Sequence, residues 1–310
     1  MEMRQLGSRG PEISVIGFGA WEAGGMAWGE NPPDDQTLAA MHAAITSGAT
    51  WIDTAEVYGG GRSEELVGRA VADHPEVMIF TKVAPQSAGS GFKPKQIRAA
   101  AEKSIQRLGR DHIDLYQLHW PDRKVPVEET WGAMADLVDA GLVRWIGVSN
   151  HDHGLIERCE QVAHVDSLQP HFSMLWQQER AVIEHCATRG TGVIAYGPLG
   201  YGLLTGVIGR NHEFHEDDWR GGGHGMRAYD TMFAPGKLEA NLDKVDALRP
   251  VADRLEITLA QLALLWAFHQ NGVTGAIAGS RSPEHVRENN AAGTVELDDK
   301  TLEELAGILG

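Results

Sequence analysis

Residues 77–118, VMIFTKVAPQSAGSGFKPKQIRAAAEKSIQRLGRDHIDLYQL, contain one complete strand–helix–strand unit. Val77–Phe80 and Leu115–Leu118 are short, continuous apolar runs, which are typical of strands buried on both faces of a parallel sheet. Between them, Pro94–Leu108 has a proline at an early position and Gly109 directly after its end, as expected of a helix. The stretch therefore predicts two parallel strands joined by a helix.

The same alternation extends over the whole chain. We predict eight strands, at Val15–Phe18, Trp51–Asp53, Val77–Phe80, Leu115–Leu118, Trp145–Val148, Ser167–Gln169, Gly192–Ala195 and Ala276–Ala278. We predict eight helices, at Asp35–Thr46, Glu64–Ala72, Pro94–Leu108, Val127–Ala140, Asp152–Val162, Glu179–Thr188, Leu259–His269 and Ser282–Ala291. This pattern predicts an α/β protein whose sheet closes into a (β/α)8 TIM barrel, with residues 1–310 as one domain.

An open, doubly wound sheet is the structural alternative. Such a sheet normally carries a glycine fingerprint after its first strand. In the stretch Gly17-Phe-Gly19-Ala-Trp-Glu22, a glutamate stands in place of the third glycine, and the stretch from Gly200 to Thr205 departs from the fingerprint in the same way. The sequence therefore favours the closed barrel.

Two segments lie outside the regular alternation. Met3–Leu6 and Ile13–Val15 flank the turn residues 7–10 and predict an N-terminal β-hairpin that covers the amino-terminal face of the barrel. The polar stretch from residue 210 to residue 240 predicts a long loop after the seventh strand. Gly190–Gly209 carries no charge, but its glycines and Pro198 indicate a strand and a loop rather than a membrane helix.

Composition and charge exclude several classes of protein. Of 310 residues, 42% are hydrophobic and 23% charged, which excludes a collagenous, low-complexity or broadly disordered chain. A formal net charge of −16 disfavours binding to nucleic acid or to a membrane, although a local basic pocket remains compatible with it. Cys159 and Cys186 are too few for a disulfide framework, and no apolar signal-peptide region follows Met1–Gln5. We therefore expect a cytoplasmic protein, and the absence of heptads leaves its oligomeric state open.

Four residues with acid–base chemistry cluster at the carboxyl ends of the predicted strands. Asp53, Lys82 and His119 belong to three separate strand ends, and Tyr58 lies in the loop after Asp53. In a (β/α)8 barrel these ends form the face that carries the active site. A turn cap or a structural ion pair explains any one of these residues, but four compatible groups on one face indicate a catalytic site.

The segments around these residues resemble the aldo-keto reductase family over nearly the whole chain. The most specific segment is Asp-Thr-Ala-Glu-Val-Tyr-Gly at residues 53–59. The other matching segments are Gly17–Trp21, Thr81-Lys82, Leu118–Asp122, Gly147–Asn150, Ala195–Gly200, Leu204–Gly206, Gly279–Arg281 and Glu288-Asn289. Their order and spacing together make the resemblance specific.

The resemblance implies a catalytic tetrad of Asp53, Tyr58, Lys82 and His119 and the reversible, NADPH-dependent reduction of aldehydes and ketones to alcohols. Tyr58 would donate the proton that the developing alkoxide needs, and a nearby Lys82 ammonium would lower the pKa of its phenol. Asp53 would orient Lys82, while His119 would position and polarise the carbonyl oxygen. The substrate would be a small carbonyl compound, sugar or alcohol.

The resemblance also implies a nicotinamide cofactor that is bound without a Rossmann domain. Ser149, Asn150 and Gln169 would hold the carboxamide of the cofactor, and Tyr196 would stack on its ring. The backbone that follows would run along the pyrophosphate, at Gly197, Pro198, Leu199, Gly200 and Leu203.

The adenosine end of the cofactor is assigned to the last predicted helix and the turn before it. Ser280 and Arg281 are placed to meet a 2′-phosphate, a group that a guanidinium matches well, so we expect NADPH/NADP+ to be preferred over NADH. His285 is either a second phosphate contact or an exposed helix residue. The implied contacts at this end are Gly279, Ser280, Arg281, His285, Glu288 and Asn289.

The loops predict a substrate pocket and a flap. Trp21, Met26 and Trp28 in the first loop, with Trp120 after His119, would line an apolar pocket, although core packing explains any one of them as well. The stretch from residue 210 to residue 230 would cover the cofactor, and its glycines indicate a mobile flap. They are Gly221, Gly222, Gly223 and Gly225.

Three other functions are weighed against this interpretation. His151-Asp-His153 and the histidines of residues 212–218 are metal-binding residue types, but the further ligands expected on later strands are lacking, so we predict no metal. Asp53 and Glu56 share one loop instead of facing each other from two strands, which disfavours a glycosidase. A non-catalytic or weakly catalytic NADP-binding regulatory subunit on the same scaffold stays open.

Overall fold

The computed structural model describes residues 1–25, 27–221 and 231–310. Met26, Gly222, Gly223 and Gly225, to which the sequence assigned a pocket wall and a flap, lie outside the described residues.

Eight parallel strands close into a barrel, as predicted, in the order β10-β3-β4-β5-β6-β7-β8-β9. Two further strands precede them and form an antiparallel pair, so the predicted N-terminal hairpin is also confirmed. The strands are β1 Met3–Gln5, β2 Glu12–Ser14, β3 Ile16–Gly19, β4 Trp51–Asp53, β5 Met78–Val83, β6 Ile113–Leu118, β7 Val143–Ser149, β8 Ser167–Gln169, β9 Gly192–Ala195 and β10 Gly275–Ala278.

The helices alternate with the barrel strands. They are α1 Asp34–Thr46, α2 Arg62–Ala70, α3 Pro94–Leu108, α4 Val127–Asp139, α5 His153–Glu160, α6 Arg180–Arg189, α7 Lys237–Arg254, α8 Leu259–Phe268, α9 Pro283–Ala291 and α10 Asp299–Leu309.

Two of these helices were not predicted. α7 begins at Lys237, inside the stretch predicted to be a loop up to residue 240, and it contains Pro250, a residue that usually ends a helix. α10 follows Asp298, whose side chain accepts a hydrogen bond from the backbone N–H of Thr301. That arrangement is an ordinary N-cap, so the sequence did carry a signal for this helix.

The hairpin packs onto the amino-terminal end of the barrel. Leu6 and Ile13 are fully buried with Trp51 at the start of β4. The Trp51 indole Nε1 donates to the carbonyl of Ser14 over 2.9 Å. On the same side, the Trp145 indole Nε1 donates to the carbonyl of Arg9 over 3.0 Å. These contacts close the barrel floor and leave the carboxyl ends of the strands as its accessible face.

At the opposite end, the loop after β3 is joined to the segment after β9. Trp28 and Asp218 form an antiparallel bridge, and the backbone N–H of Trp219 donates to the carbonyl of Ala27 over 2.9 Å. The Arg220 guanidinium lies 5.0 Å from the centre of a Trp28 ring. The two loops therefore form one aromatic wall beside the barrel opening.

In the described part of the chain, none of the helices combines the length and the apolar character needed to cross a membrane.

Candidate active site

A cleft of about 1090 Å³ opens at the carboxyl ends of the barrel strands. Its wall contains most of the residues that the sequence assigned to the site, namely Trp21, Trp28, Asp53, Tyr58, His119, Trp120, Ser149, Asn150, Gln169, Tyr196, Gly197, Pro198, Leu199, Gly279, Ser280, Arg281, His285, Glu288 and Asn289.

Three assigned residues do not line this cleft. Lys82 is fully buried beneath it. Gly200 and Leu203 belong to a short 3-10 segment at Gly200–Thr205, and Leu203 is fully buried in the aromatic wall. Sequence analysis treated residues 197–203 as one continuous stretch of backbone along the cofactor, so it could not predict that Gly200 and Leu203 do not line the cleft.

A buried ion pair lies at the bottom of the cleft. Because β4 and β5 are neighbours, the Lys82 Nζ reaches the carboxylate of Asp53 and donates to its Oδ1. Lys82 also donates to the carbonyl of Thr54 over 2.8 Å, and the Gln169 Nε2 donates to the Asp53 Oδ2 over 2.8 Å. The sequence predicted that Asp53 orients Lys82, and the contact between them is present.

Burial acts on both members of this pair. It raises the pKa of Asp53 and lowers the pKa of Lys82, while the attraction between the two charges opposes both shifts. Lys82 is fully buried, and its ammonium donates to both the Asp53 carboxylate and the Thr54 carbonyl.

Tyr58 lies above this pair. The Lys82 Nζ is 5.3 Å from the centre of the Tyr58 ring, and the rings of Tyr58 and His119 are 5.5 Å apart at 78°. A short 3-10 turn at Tyr58–Gly61 positions the tyrosine. In this turn Gly59 has a left-handed φ of 64°, and a Cβ there would lie 2.2 Å from the carbonyl oxygen of Gly24. The loop can therefore approach the Gly24 backbone only with a glycine at position 59.

His119 is held as a neutral imidazole. Burial is the main cause and the nearby charge of Lys82 a second one, and together they place the pKa of His119 well below its ordinary value. Its ring stacks on that of Trp120 at 3.7 Å, and its carbonyl accepts from the Asn150 Nδ2 over 3.0 Å. The His119 Nδ1 is buried and has no hydrogen-bond partner among the described residues. A neutral histidine can hydrogen-bond a carbonyl oxygen without adding a charge.

The residues assigned to the carboxamide form one network with Asp53. The Tyr196 hydroxyl donates to the Asn150 Oδ1 over 2.7 Å. The Ser149 Oγ donates to the backbone carbonyl of Gln169 over 2.8 Å, and the Gln169 side chain reaches Asp53. Asn150 has a left-handed φ of 58°, a conformation that asparagine tolerates better than most residues. The network fixes the amide and hydroxyl groups that face the cleft.

Arg281 is already paired at the other end of the cleft. Its Nη1 donates to the carbonyl of Glu30 over 2.7 Å, and its Nε lies 3.3 Å from the Glu22 Oε2. Burial raises the pKa of Glu22, and the charge of Arg281 opposes that shift. Sequence reasoning missed Glu22 as a site residue, although it had singled it out as the residue that breaks the glycine fingerprint.

The histidines that the sequence considered for a metal at the barrel mouth do not converge. His151 points inward, where it is 3% exposed, and its Nδ1 lies 2.8 Å from the carbonyl oxygen of Ser149. Burial lowers the pKa of His151. His153 begins α5 and is exposed, as are His212 and His215.

Comparison with known proteins agrees with this geometry. Residues 15–309 match the model of the Aldo/keto reductase family. The chain is 35% identical to the aldo-keto reductase YhdN of Bacillus subtilis (91% of this chain, 86% of the relative) and 31% identical to the NADH-specific methylglyoxal reductase of Escherichia coli (96% and 95%). The structure of the glycerol dehydrogenase AKR11B4 from Gluconobacter oxydans superimposes with a TM-score of 0.87 at 31% identity, over 99% of this chain and 94% of that one. The chain therefore belongs to the aldo/keto reductase family of oxidoreductases.

Proposed function

We propose that this protein reduces aldehydes or ketones to alcohols with NADPH, and catalyses the reverse reaction, as one domain spanning residues 1–310. The observation that carries the proposal is the buried Asp53–Lys82 pair, with Tyr58 above it and His119 beside the tyrosine in one cleft. Carbonyl reduction needs a proton donor and a polariser of the carbonyl oxygen, and this arrangement provides both.

Each residue of the tetrad has a separate role in the proposal. Tyr58 gives its phenolic proton to the carbonyl oxygen, and the Lys82 ammonium stabilises the phenolate that remains. Asp53 keeps Lys82 in place and charged. His119 holds the carbonyl oxygen by a neutral hydrogen bond. In the reverse direction Tyr58 takes the proton from the alcohol.

The cleft also fits a nicotinamide cofactor, which supplies the hydride when bound. Tyr196 offers an aromatic face, and the amide groups of Asn150 and Gln169 face the same region. At the far end, Ser280 and Arg281 line the cleft, and we assign their hydroxyl and guanidinium to the 2′-phosphate of NADPH. The cleft is also lined by Trp21, Trp28 and Trp120, and these aromatic side chains favour carbonyl substrates with an apolar body.

The direct test is an assay of NADPH oxidation with a panel of aldehydes and ketones, followed by the absorbance of the cofactor at about 340 nm. Turnover with at least one carbonyl supports the proposal. Tight NADPH binding without turnover across the panel would instead support the alternative, a regulatory subunit. Because the Escherichia coli relative is named NADH-specific, the panel is run with both cofactors.

Replacing Arg281 with Ala is expected to weaken NADPH binding by about tenfold or more and NADH binding much less, since a charge-assisted hydrogen bond contributes about 1.5–3 kcal/mol.

The Glu22→Gln substitution is expected to have the opposite effect on NADPH binding. It removes the carboxylate that competes for Arg281 and repels a phosphate, so NADPH binding is expected to become tighter. Fluorescence titration with both cofactors measures these changes. Equal loss of NADPH and NADH in Arg281→Ala would contradict the 2′-phosphate assignment.

The pH profile of kcat is expected to lack a histidine step. Because burial keeps the pKa of His119 well below its ordinary value, the imidazole stays neutral between about pH 6 and pH 8, where a histidine normally titrates. Steady-state kinetics at saturating substrate measure the profile. A step at about pH 6.5 that disappears in His119→Gln would show that His119 is protonated during turnover.

A further inference from the structure

Two outer helices of the barrel bring three metal-binding side chains together. His153 is the first residue of α5, Glu157 follows one turn later on the same face, and His185 comes from the neighbouring helix α6. Each offers one ligand atom, and these three atoms lie within 4.8 Å of one another. None of the three residues lines the cleft described above.

The Glu157 carboxylate is the centre of the group. Its Oε1 is 3.0 Å from the His185 Nε2 and 3.7 Å from the His153 Nε2. In a tetrahedral site with metal–ligand bonds of about 2.1 Å, neighbouring ligand atoms lie about 3.4 Å apart. The two distances fall on either side of that value. The rings of His153 and His185 are already in contact, with their centres 3.9 Å apart at 63°, so both must turn for their nitrogens to face a shared ion. The His153 side chain is 60% exposed, which leaves solvent space for that turn.

His185 supplies an independent observation. Its Nε2 is buried and makes no hydrogen bond of acceptable geometry to any residue that the structure describes, although the Glu157 oxygen lies close to it. A buried nitrogen without a hydrogen bond is costly unless another group satisfies it. A metal ion between His185, Glu157 and His153 would take up the lone pair of this nitrogen.

Arg189 is the group that opposes a cation here. Its Nη2 lies 2.5 Å from the same Glu157 Oε1, and this hydrogen bond is the main cause that lowers the pKa of Glu157. A metal ion at this oxygen would have to displace the Arg189 guanidinium. The Arg189 side chain is about half exposed on a long flexible stem, so the guanidinium can move into solvent when an ion arrives.

We propose that His153, Glu157 and His185 form a binding site for a divalent transition-metal ion of the zinc class, which links α5 to α6 on the outside of the barrel. Two imidazoles and one carboxylate suit zinc, and they leave one coordination position for water. Alkaline-earth ions prefer all-oxygen ligands and are not expected to bind. Sequence inspection missed this site because it looked for further ligands on strand ends, whereas His185 lies within a helix.

The test uses the untagged, metal-free full chain and titrates it with zinc chloride in a calorimeter, and with cobalt(II) in a spectrophotometer. We expect one zinc ion per chain, and visible cobalt absorption of the intensity that a four- or five-coordinate ion gives. His153→Gln and His185→Gln are each expected to weaken binding by at least about tenfold. Arg189→Gln removes the competing charge and is expected to tighten zinc binding. Calcium chloride is expected to give no saturable heat.

His74→Gln is the matched control, because His74 also lies beside a carboxylate, that of Glu76 at 3.1 Å. It is expected to bind zinc as the unchanged protein does. His153 is exposed, so the His153→Gln variant tests the site even if His185→Gln does not fold. The proposal is overturned if the unchanged protein shows no saturable zinc binding, or if folded His153→Gln binds zinc with unchanged affinity. Reductase assays of the same samples keep this outcome separate from the proposed function.

Discussion

Tyr58→Phe is expected to lower kcat for carbonyl reduction by about 10²–10⁴-fold, the range that a positioned acid contributes, and to leave the Kd for NADPH nearly unchanged. The substitution removes one hydroxyl and keeps the ring that lies above Lys82 and beside His119. The shape of the cleft is therefore preserved, and only the proton is lost. Steady-state assays give kcat, and fluorescence titration gives the Kd.

Tyr116→Phe is the matched control for this experiment. Tyr116 is fully buried in β6 and does not line the cleft, so loss of its hydroxyl is expected to leave kcat close to that of the unchanged protein. If Tyr58→Phe kept most of the turnover, Tyr58 would not be the proton donor. If it lost NADPH binding as strongly as turnover, the defect would lie in the cleft as a whole.

The barrel could be predicted from the sequence because its strands are short apolar runs with helices of ordinary length between them. Leu115–Leu118 and Gly192–Ala195 fall inside observed strands because buried parallel strands need apolar side chains on both faces. The residues at which the strands end could not be predicted as closely. β5 continues to Val83, so Lys82 lies within a strand, where it is fully buried, and not in the loop after it.

The position of each site residue along the chain could be predicted, but the pairing between side chains could not. That Asp53 is reached by Gln169 as well as by Lys82 depends on the closure of the barrel, which brings β8 near β4 across its interior. The contact between Glu22 and Arg281 joins loops at the two ends of the chain, and no local pattern marks it. The bridge between Trp28 and Asp218 is of the same kind.

The Asp53–Lys82 pair leads to the second large effect, which is on stability. Lys82→Met is expected to lower the free energy of unfolding by about 3–5 kcal/mol, since it leaves the Asp53 carboxylate buried without its cation. Asp53→Leu is expected to lower the free energy of unfolding by a similar amount, because it leaves the Lys82 ammonium buried without its carboxylate. The double variant Asp53→Leu/Lys82→Met leaves no unpaired charge. Its loss of unfolding free energy is therefore expected to be well below the sum of the losses in the two single variants.

Urea denaturation followed by circular dichroism measures these free energies, and the double-mutant cycle gives the coupling between the two residues. The exposed pair of Arg98 and Glu102 in α3 is the control, because solvent screens it and Arg98→Ala is expected to cost less than about 1 kcal/mol. All three variants at positions 53 and 82 are expected to lose turnover, including the double variant that recovers stability. That separation would show that the buried charges are kept for catalysis and not for folding. A Lys82→Met protein as stable as the unchanged one would mean that the pair is not ionised in the folded state.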